Sequence, residues 1–147
     1  MCFITKSAVF SCLTAFAIAA SFSAARAQDF PEGCWKVPVE DGGSVNVIFK
    51  CQGNKLCAEV AAPAVDNKKP TKGDLGKCVV NRATKTGTMW KGQIYIFAYD
   101  VTAEMELKRK GTNVLDVSGC YGIICSSKDW TKTACPSQRP AHPAKCQ

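Results

Sequence analysis

Apolar and polar residues alternate through most of this chain, with the two-residue period of a half-buried strand. In "VTAEMELK", Val101, Ala103, Met105 and Leu107 share one face, and Thr102, Glu104, Glu106 and Lys108 share the other. "NVLDVSGCY" sets Leu115 and Val117 against Asp116 and Ser118, and "GTMWKGQIYIF" sets Trp90, Ile94 and Ile96 against Met89, Lys91, Gln93 and Tyr95. In "SVNVIFKC" the more apolar face is Val45, Val47, Phe49 and Cys51, which assigns Asn46 and Lys50 to the outside. Turn signals separate these runs: Asp41-Gly42-Gly43, Gly53-Asn54, Gly87, Lys110-Gly111-Thr112-Asn113 and Tyr121-Gly122. Short strands with turns about every 8–12 residues predict an antiparallel sandwich or a closed barrel. Two stretches do not alternate. Residues 62–77 read as a long polar loop with room for a helical turn. Residues 136–147, with Pro136, Pro140 and Pro143, read as a mobile, extended C-terminal tail.

The first 27 residues read as a cleaved signal peptide. Lys6 supplies the positive start, Ala8 to Phe22 is apolar or small, and Ala25-Arg26-Ala27 offers the cleavage site. That places the mature chain in the periplasm or outside the cell, with residues 28–135 as one domain. Of 19 basic residues, Lys6 and Arg26 leave with the leader, so 17 stand against 12 acidic ones, a net charge of +5. They are scattered, which argues against a nucleic-acid groove. Eight cysteines remain in the mature chain, and in an oxidising compartment an even number implies a disulfide framework. Cys51 and Cys57 flank a hairpin-sized loop, as do Cys120 and Cys125, so each pair is expected to bridge adjacent strands. Zinc at Cys120-x4-Cys125 lacks a nearby histidine. Cys34 and Cys135 stand at the two ends of the folded part, where a bridge would pin a closed sheet. Cys78 with Cys146 is the remainder, and Cys146 in a tail has a second option in another chain.

The catalytic inventory is thin. His142 is the only histidine and stands among prolines, where no general base is held in place. Glu104 and Glu106 share the solvated face of a strand, and Gly73-Asp74-Leu75-Gly76-Lys77 lacks the spacing of a phosphate loop. No catalytic residue, metal site or cofactor is expected. Of the three tryptophans, Trp35 and Trp130 read as core, and Trp90, beside Ile94 and Ile96, reads as a candidate lining residue for a cavity.

The order of motifs carries a resemblance. Gly33-Cys34-Trp35, Cys51 with Leu56-Cys57, Leu75-Gly76, Trp90-Lys91-Gly92-Gln93-Ile94-Tyr95 and Trp130-Thr131-Lys132 together resemble the bacterial exported family catalogued as domain of unknown function 2147. Members of that family are similar to lipocalins and fatty-acid-binding proteins. The resemblance implies an all-β fold, a small antiparallel up-and-down barrel of calycin type, here braced by disulfides. It also implies that Trp35, Trp130 and Lys132 close the barrel, with Lys132 against the Trp35 ring in a cation–π contact. An eight-stranded barrel holds one small ligand. The expected function is therefore non-enzymatic binding of a small, largely apolar molecule, lined by Val47, Phe49, Trp90, Ile94, Met105, Leu107 and Leu115. The competing expectation is an interaction or inhibitor protein whose loops, with Lys68, Lys69, Lys72 and Lys77, contact an anionic envelope component or a protein. A monomer is expected in either case.

Overall fold

The structure is a computed structural model that describes residues 30–137 and residue 146. The stretch read as a leader and most of the stretch read as a tail lie outside the described residues. Eight strands follow one another: β1 (Gly33–Lys36), β2 (Val45–Cys51), β3 (Lys55–Ala62), β4 (Cys78–Thr86), β5 (Met89–Ile96), β6 (Val101–Arg109), β7 (Val114–Tyr121) and β8 (Ile124–Thr133). Each pairs antiparallel with the next, and β1 also pairs with β8, so the sheet closes into a barrel with no free edge. This is the up-and-down β-barrel that the alternation and the resemblance predict. One end, called lower here, carries the turns after β2, β4 and β6 and the segment entering β1. The upper end carries the connections at 37–44, 63–77, 97–100 and 122–123.

Four disulfides brace the barrel: Cys34–Cys135, Cys51–Cys57, Cys78–Cys146 and Cys120–Cys125. At the far end of the stretch read as a mobile tail, Cys146 is instead pinned. It is 2% exposed, bonded to Cys78, and its sulfur packs 3.3 Å from the carbonyl of Ala58. This outer cover explains why β3 is buried on both faces, with Leu56 to Ala61 all inaccessible.

The lumen is filled by one cluster that includes Trp35, Ile48, Leu56, Trp90, Met105, Leu107, Leu115 and Trp130. On β2 the structure corrects the expected face. Trp35 pairs with Asn46 and Ala58 pairs with Ile48, so Asn46 and Ile48 face inward. Val47 faces outward into a separate small cluster with Cys34 and Ala61, and Phe49, on that same outer face, stands opposite Cys57. The reason is that the more apolar face of β2 is the outer one, where Val45 and Val47 pack with Cys34 and Ala61. Pairing with β1 and β3 turns Asn46 and Ile48 into the lumen instead, so periodicity alone pointed to the wrong side.

Gly92 shows how tightly the lumen is closed. A Cβ there would lie 2.9 Å from both the Cα and the Cβ of Ala83. The W-K-G-Q-I-Y stretch therefore needs glycine where the irregular stretch of β4 presses on β5.

The long upper loop holds a 3₁₀ turn over Lys72–Asp74 capped by Thr71. The Asp74 carboxyl is held at about 2, first by the hydrogen bond that Lys77 donates and then by the backbone N–H of Thr71. Because the folded value lies below the ordinary 3.8, this carboxylate stabilises the loop above about pH 4. That contribution fades as pH falls toward 2. Carboxyl NMR should titrate Asp74 with a midpoint near 2, and a midpoint near 3.8 would contradict the capped turn.

Candidate functional site

The lower end of the barrel is a built floor. Trp35 is fully buried, and its indole N–H donates to the Pro31 carbonyl at 2.9 Å. Lys132, its cross-strand partner on β8, holds its ammonium 5.0 Å from the ring centroid and donates to the Glu32 carbonyl at 2.7 Å. Arg109, the last residue of β6, places its guanidinium 6.0 Å from the same ring and donates to the carbonyls of Phe30 and Thr112. The Phe30 ring meets Trp90 edge-on at 5.2 Å. Residues 30–32 are thereby strapped across the bottom by three side chains from three strands. A cation over an indole contributes about 0.5–2 kcal/mol depending on exposure, so Arg109 and Lys132 reinforce the plug as well as the strap.

Gly33 fits this floor for a local reason. Its φ is +112, outside the range L side chains favour, and a Cβ would lie 3.1 Å from the Lys132 ammonium. A cleft of about 350 Å³ opens beneath the floor, lined by Lys50, Arg109, Lys132, Glu32 and Thr112 among others. It lies outside the lumen.

Above the floor the packing is solid: Ile48, Leu56 and Leu115 are fully buried, and Met105 and Leu107 are nearly so. Of the residues expected to line a cavity, Met105, Leu107 and Leu115 belong to this packed layer, and Trp90 lies at 5% exposure beside it. Ile94, at 8%, is the one nearest the open end. Val47 and Phe49 are not brought to the lumen at all. Trp130 faces inward, opposite Leu115, two residues from Lys132.

The accessible part of the inner face is the upper end. Gly119 on β7 faces Ile94, Ala103 and Ile96, whose side-chain carbons would meet a Cβ at 3.6–3.8 Å. Ile96 and Phe97 are half-buried at the edge of the cluster. Counting by twos from Trp130 places Lys128, Ser126 and Ile124 on the inward face, opposite Val117, Gly119 and Tyr121. Lys128 forms an ion pair with Asp41 of the 37–44 connection at 3.5 Å. Arg109, Gly119 and Lys128 are the residues that sequence reading missed. Gly119 was reachable, since it continues the period of Leu115 and Val117. Arg109 stands in the middle of the basic run Lys108-Arg109-Lys110, and nothing local points it at Trp35.

Residues 33–132 match the family described as "Uncharacterized protein conserved in bacteria (DUF2147)". The chain belongs to this family. The DUF2147 match begins at the glycine of the floor and ends at Lys132, so it takes in the barrel strands to within one residue of the end of β8. Among solved structures, the chain is similar to protein HP1028 from the human pathogen Helicobacter pylori, which belongs to the lipocalin family. The two are 20% identical, with 70% of this chain and 82% of that one covered at a TM-score of 0.56. That likeness establishes a shared lipocalin-type fold. No curated protein matches the chain. Among the described residues no group of three or more histidine, cysteine, aspartate or glutamate side chains is placed to hold a metal. No described helix is long and apolar enough to cross a membrane.

Proposed function

We propose that this DUF2147 chain is an exported, non-enzymatic, lipocalin-like protein that binds a small, largely apolar ligand at the upper end of its lumen. The observation that carries this reading is the asymmetry of the barrel. Its lower end is plugged by Trp35 and strapped by residues 30–32, whereas Ile94, Ile96, Val117 and Gly119 form an apolar inner face just inside the upper end. With the middle of the barrel filled, the ligand is short or enters only part way. Four disulfides support export, since such bonds persist in oxidising compartments.

Lys128 suggests the polar end of the ligand. Its ion pair with Asp41 is partly solvated, with side chains 40% and 36% exposed, and such pairs contribute only about 0–1 kcal/mol. A ligand carboxylate can take the place of Asp41 at little cost. Displacement of a fluorescent fatty acid, with native mass spectrometry of the purified protein, tests the proposal. Wild type should bind, and Gly119→Phe, which fills the space before Ile94, should weaken binding by about tenfold or more through lost apolar contact. Lys128→Gln should weaken binding of the acid and leave that of the corresponding alcohol unchanged. A wild-type protein that takes up no apolar probe sinks the idea.

A further inference from the structure

Lys50, Arg109 and Lys132 stand at the lower ends of β2, β6 and β8, and each follows an inward core residue by two positions. Those core residues are Ile48, Leu107 and Trp130, all in the lumen cluster. Alternation therefore brings the three cations to one level beneath the floor, where they line the cleft of about 350 Å³. They converge on the strap. The Lys50 ammonium lies 5.2 Å from the centroid of the Phe30 ring, Arg109 donates to the Phe30 carbonyl at 3.2 Å, and Lys132 donates to the Glu32 carbonyl at 2.7 Å. Lys50 and Lys132 are exposed and Arg109 is half-buried, so the cluster faces solvent. None of the three has a carboxylate. Lys108 and Lys110, which flank Arg109 in the chain, are paired with Asp116 and Asp129. Among the described residues, Lys50, Arg109 and Lys132 form no ion pair, not even with Glu32, which lines the same cleft.

We infer that the cleft beneath the floor is a binding site for a phosphate group, free or as a monoester, held by Lys50, Arg109 and Lys132. The charge balance favours an anion. Three cations stand against Glu32, and counting Asp29, the residue before Phe30 in the chain, still leaves a positive remainder. The cations also keep donors to spare. Arg109 spends N–H groups on the carbonyls of Phe30 and Thr112, while its Nε–H has no acceptor. Of the three N–H groups of an ammonium, Lys132 spends one on the Glu32 carbonyl. A phosphate monoester offers three strong acceptor oxygens and a charge of about −1.5 to −2 at neutral pH, which suits three cations arriving from three strands. A lone carboxylate brings one charge and two oxygens, enough for the Arg109 fork and little more. The anion would tie β2, β6 and β8 together below Trp35. The site lies outside the lumen and does not rest on apolar ligand binding there, so the two fail separately.

Titration calorimetry of the disulfide-bonded protein with inorganic phosphate tests it, alongside the melting temperature measured as phosphate rises. Wild type should bind, with an affinity that falls as sodium chloride is added, and its melting temperature should climb because only the folded chain has the cleft. Lys50→Gln should weaken binding by about tenfold, the loss of one charge-assisted contact. Lys50 is exposed, so the melting temperature without phosphate should stay near that of wild type and show that the fold is intact. Glu32→Gln removes the lining carboxylate and should tighten binding. Lys36→Gln removes an exposed lysine at the other end of β1 and should bind phosphate like wild type. Competition separates the sources of the group: displacement by glycerol 3-phosphate assigns a soluble ester, and displacement by vesicles containing phosphatidic acid assigns a lipid headgroup. Wild type that shows neither heat nor a higher melting temperature at millimolar phosphate overturns the inference. So does Lys50→Gln that binds like wild type, or Lys36→Gln that loses as much as Lys50→Gln, since the attraction would then be diffuse charge.

Discussion

Replacing Trp35 with alanine should lower the unfolding free energy by about 3–5 kcal/mol, the range for a large aromatic removed from a packed interior. The magnitude belongs at the upper part of that range because the ring does more than fill space. It is fully buried, its N–H satisfies the Pro31 carbonyl, and the Lys132 and Arg109 cations lie on it. Its loss leaves a cavity, an orphaned buried carbonyl and two cations without their ring. Trp35→Phe separates these effects, since it keeps much of the apolar volume and removes the indole donor. It should cost about 1–3 kcal/mol, mostly the buried carbonyl left unpaired. Urea denaturation of the purified protein measures both. If alanine at position 35 abolished ligand uptake while leaving the unfolding midpoint unchanged, Trp35 would be a site residue and the floor would have to be sought elsewhere.

The second large effect is expected at the seam. β1 is four residues long, the shortest strand of the barrel, and pairs with β8 through only three residues. The Cys34–Cys135 bridge lies directly beside that contact and links residues 101 apart in the chain. In the chain-entropy account, a loop of that length constrains the unfolded chain by about 4–5 kcal/mol, against about 2 kcal/mol for a loop of five or six residues. Cys34→Ser/Cys135→Ser should therefore destabilise the protein far more than Cys51→Ser/Cys57→Ser, whose bridge spans 6 residues. The comparison uses the same denaturation experiment under non-reducing conditions. Equal losses for the two variants would mean that the barrel closes without the covalent seam.

The two effects meet at one place. Cys34 and Trp35 are adjacent on β1, one pointing out to the bridge and the other in to the floor, as alternation on a strand requires. The G-x-W motif is thus a single device for closing the barrel at its first strand. The chemistry of the apolar ligand, in the reading proposed here, is displaced to the other end.

The sequence by itself determined the strands and most of their faces. β5, β6 and β7 carry charged or polar residues on one side and Trp90, Ile94, Met105, Leu107 and Leu115 on the other, so only one face could be buried. Two-residue periodicity is local, and where one side is polar it is sufficient. It failed on β2, where Val47 and Ile48 are both buried, in different layers, and only the register of β1 against β2 decides which looks inward. Contacts that need closure were out of reach for the same reason. Arg109 and Trp35 lie far apart along the chain and meet only because β1 pairs with β8 and the bottom turns converge. "YGII" reads as a spacer between two cysteines until the topology sets it near Tyr99 at the upper end. Local patterning tells a strand which side to hide, whereas the partner it hides against is chosen by long-range pairing, and that choice placed both the floor and the rim.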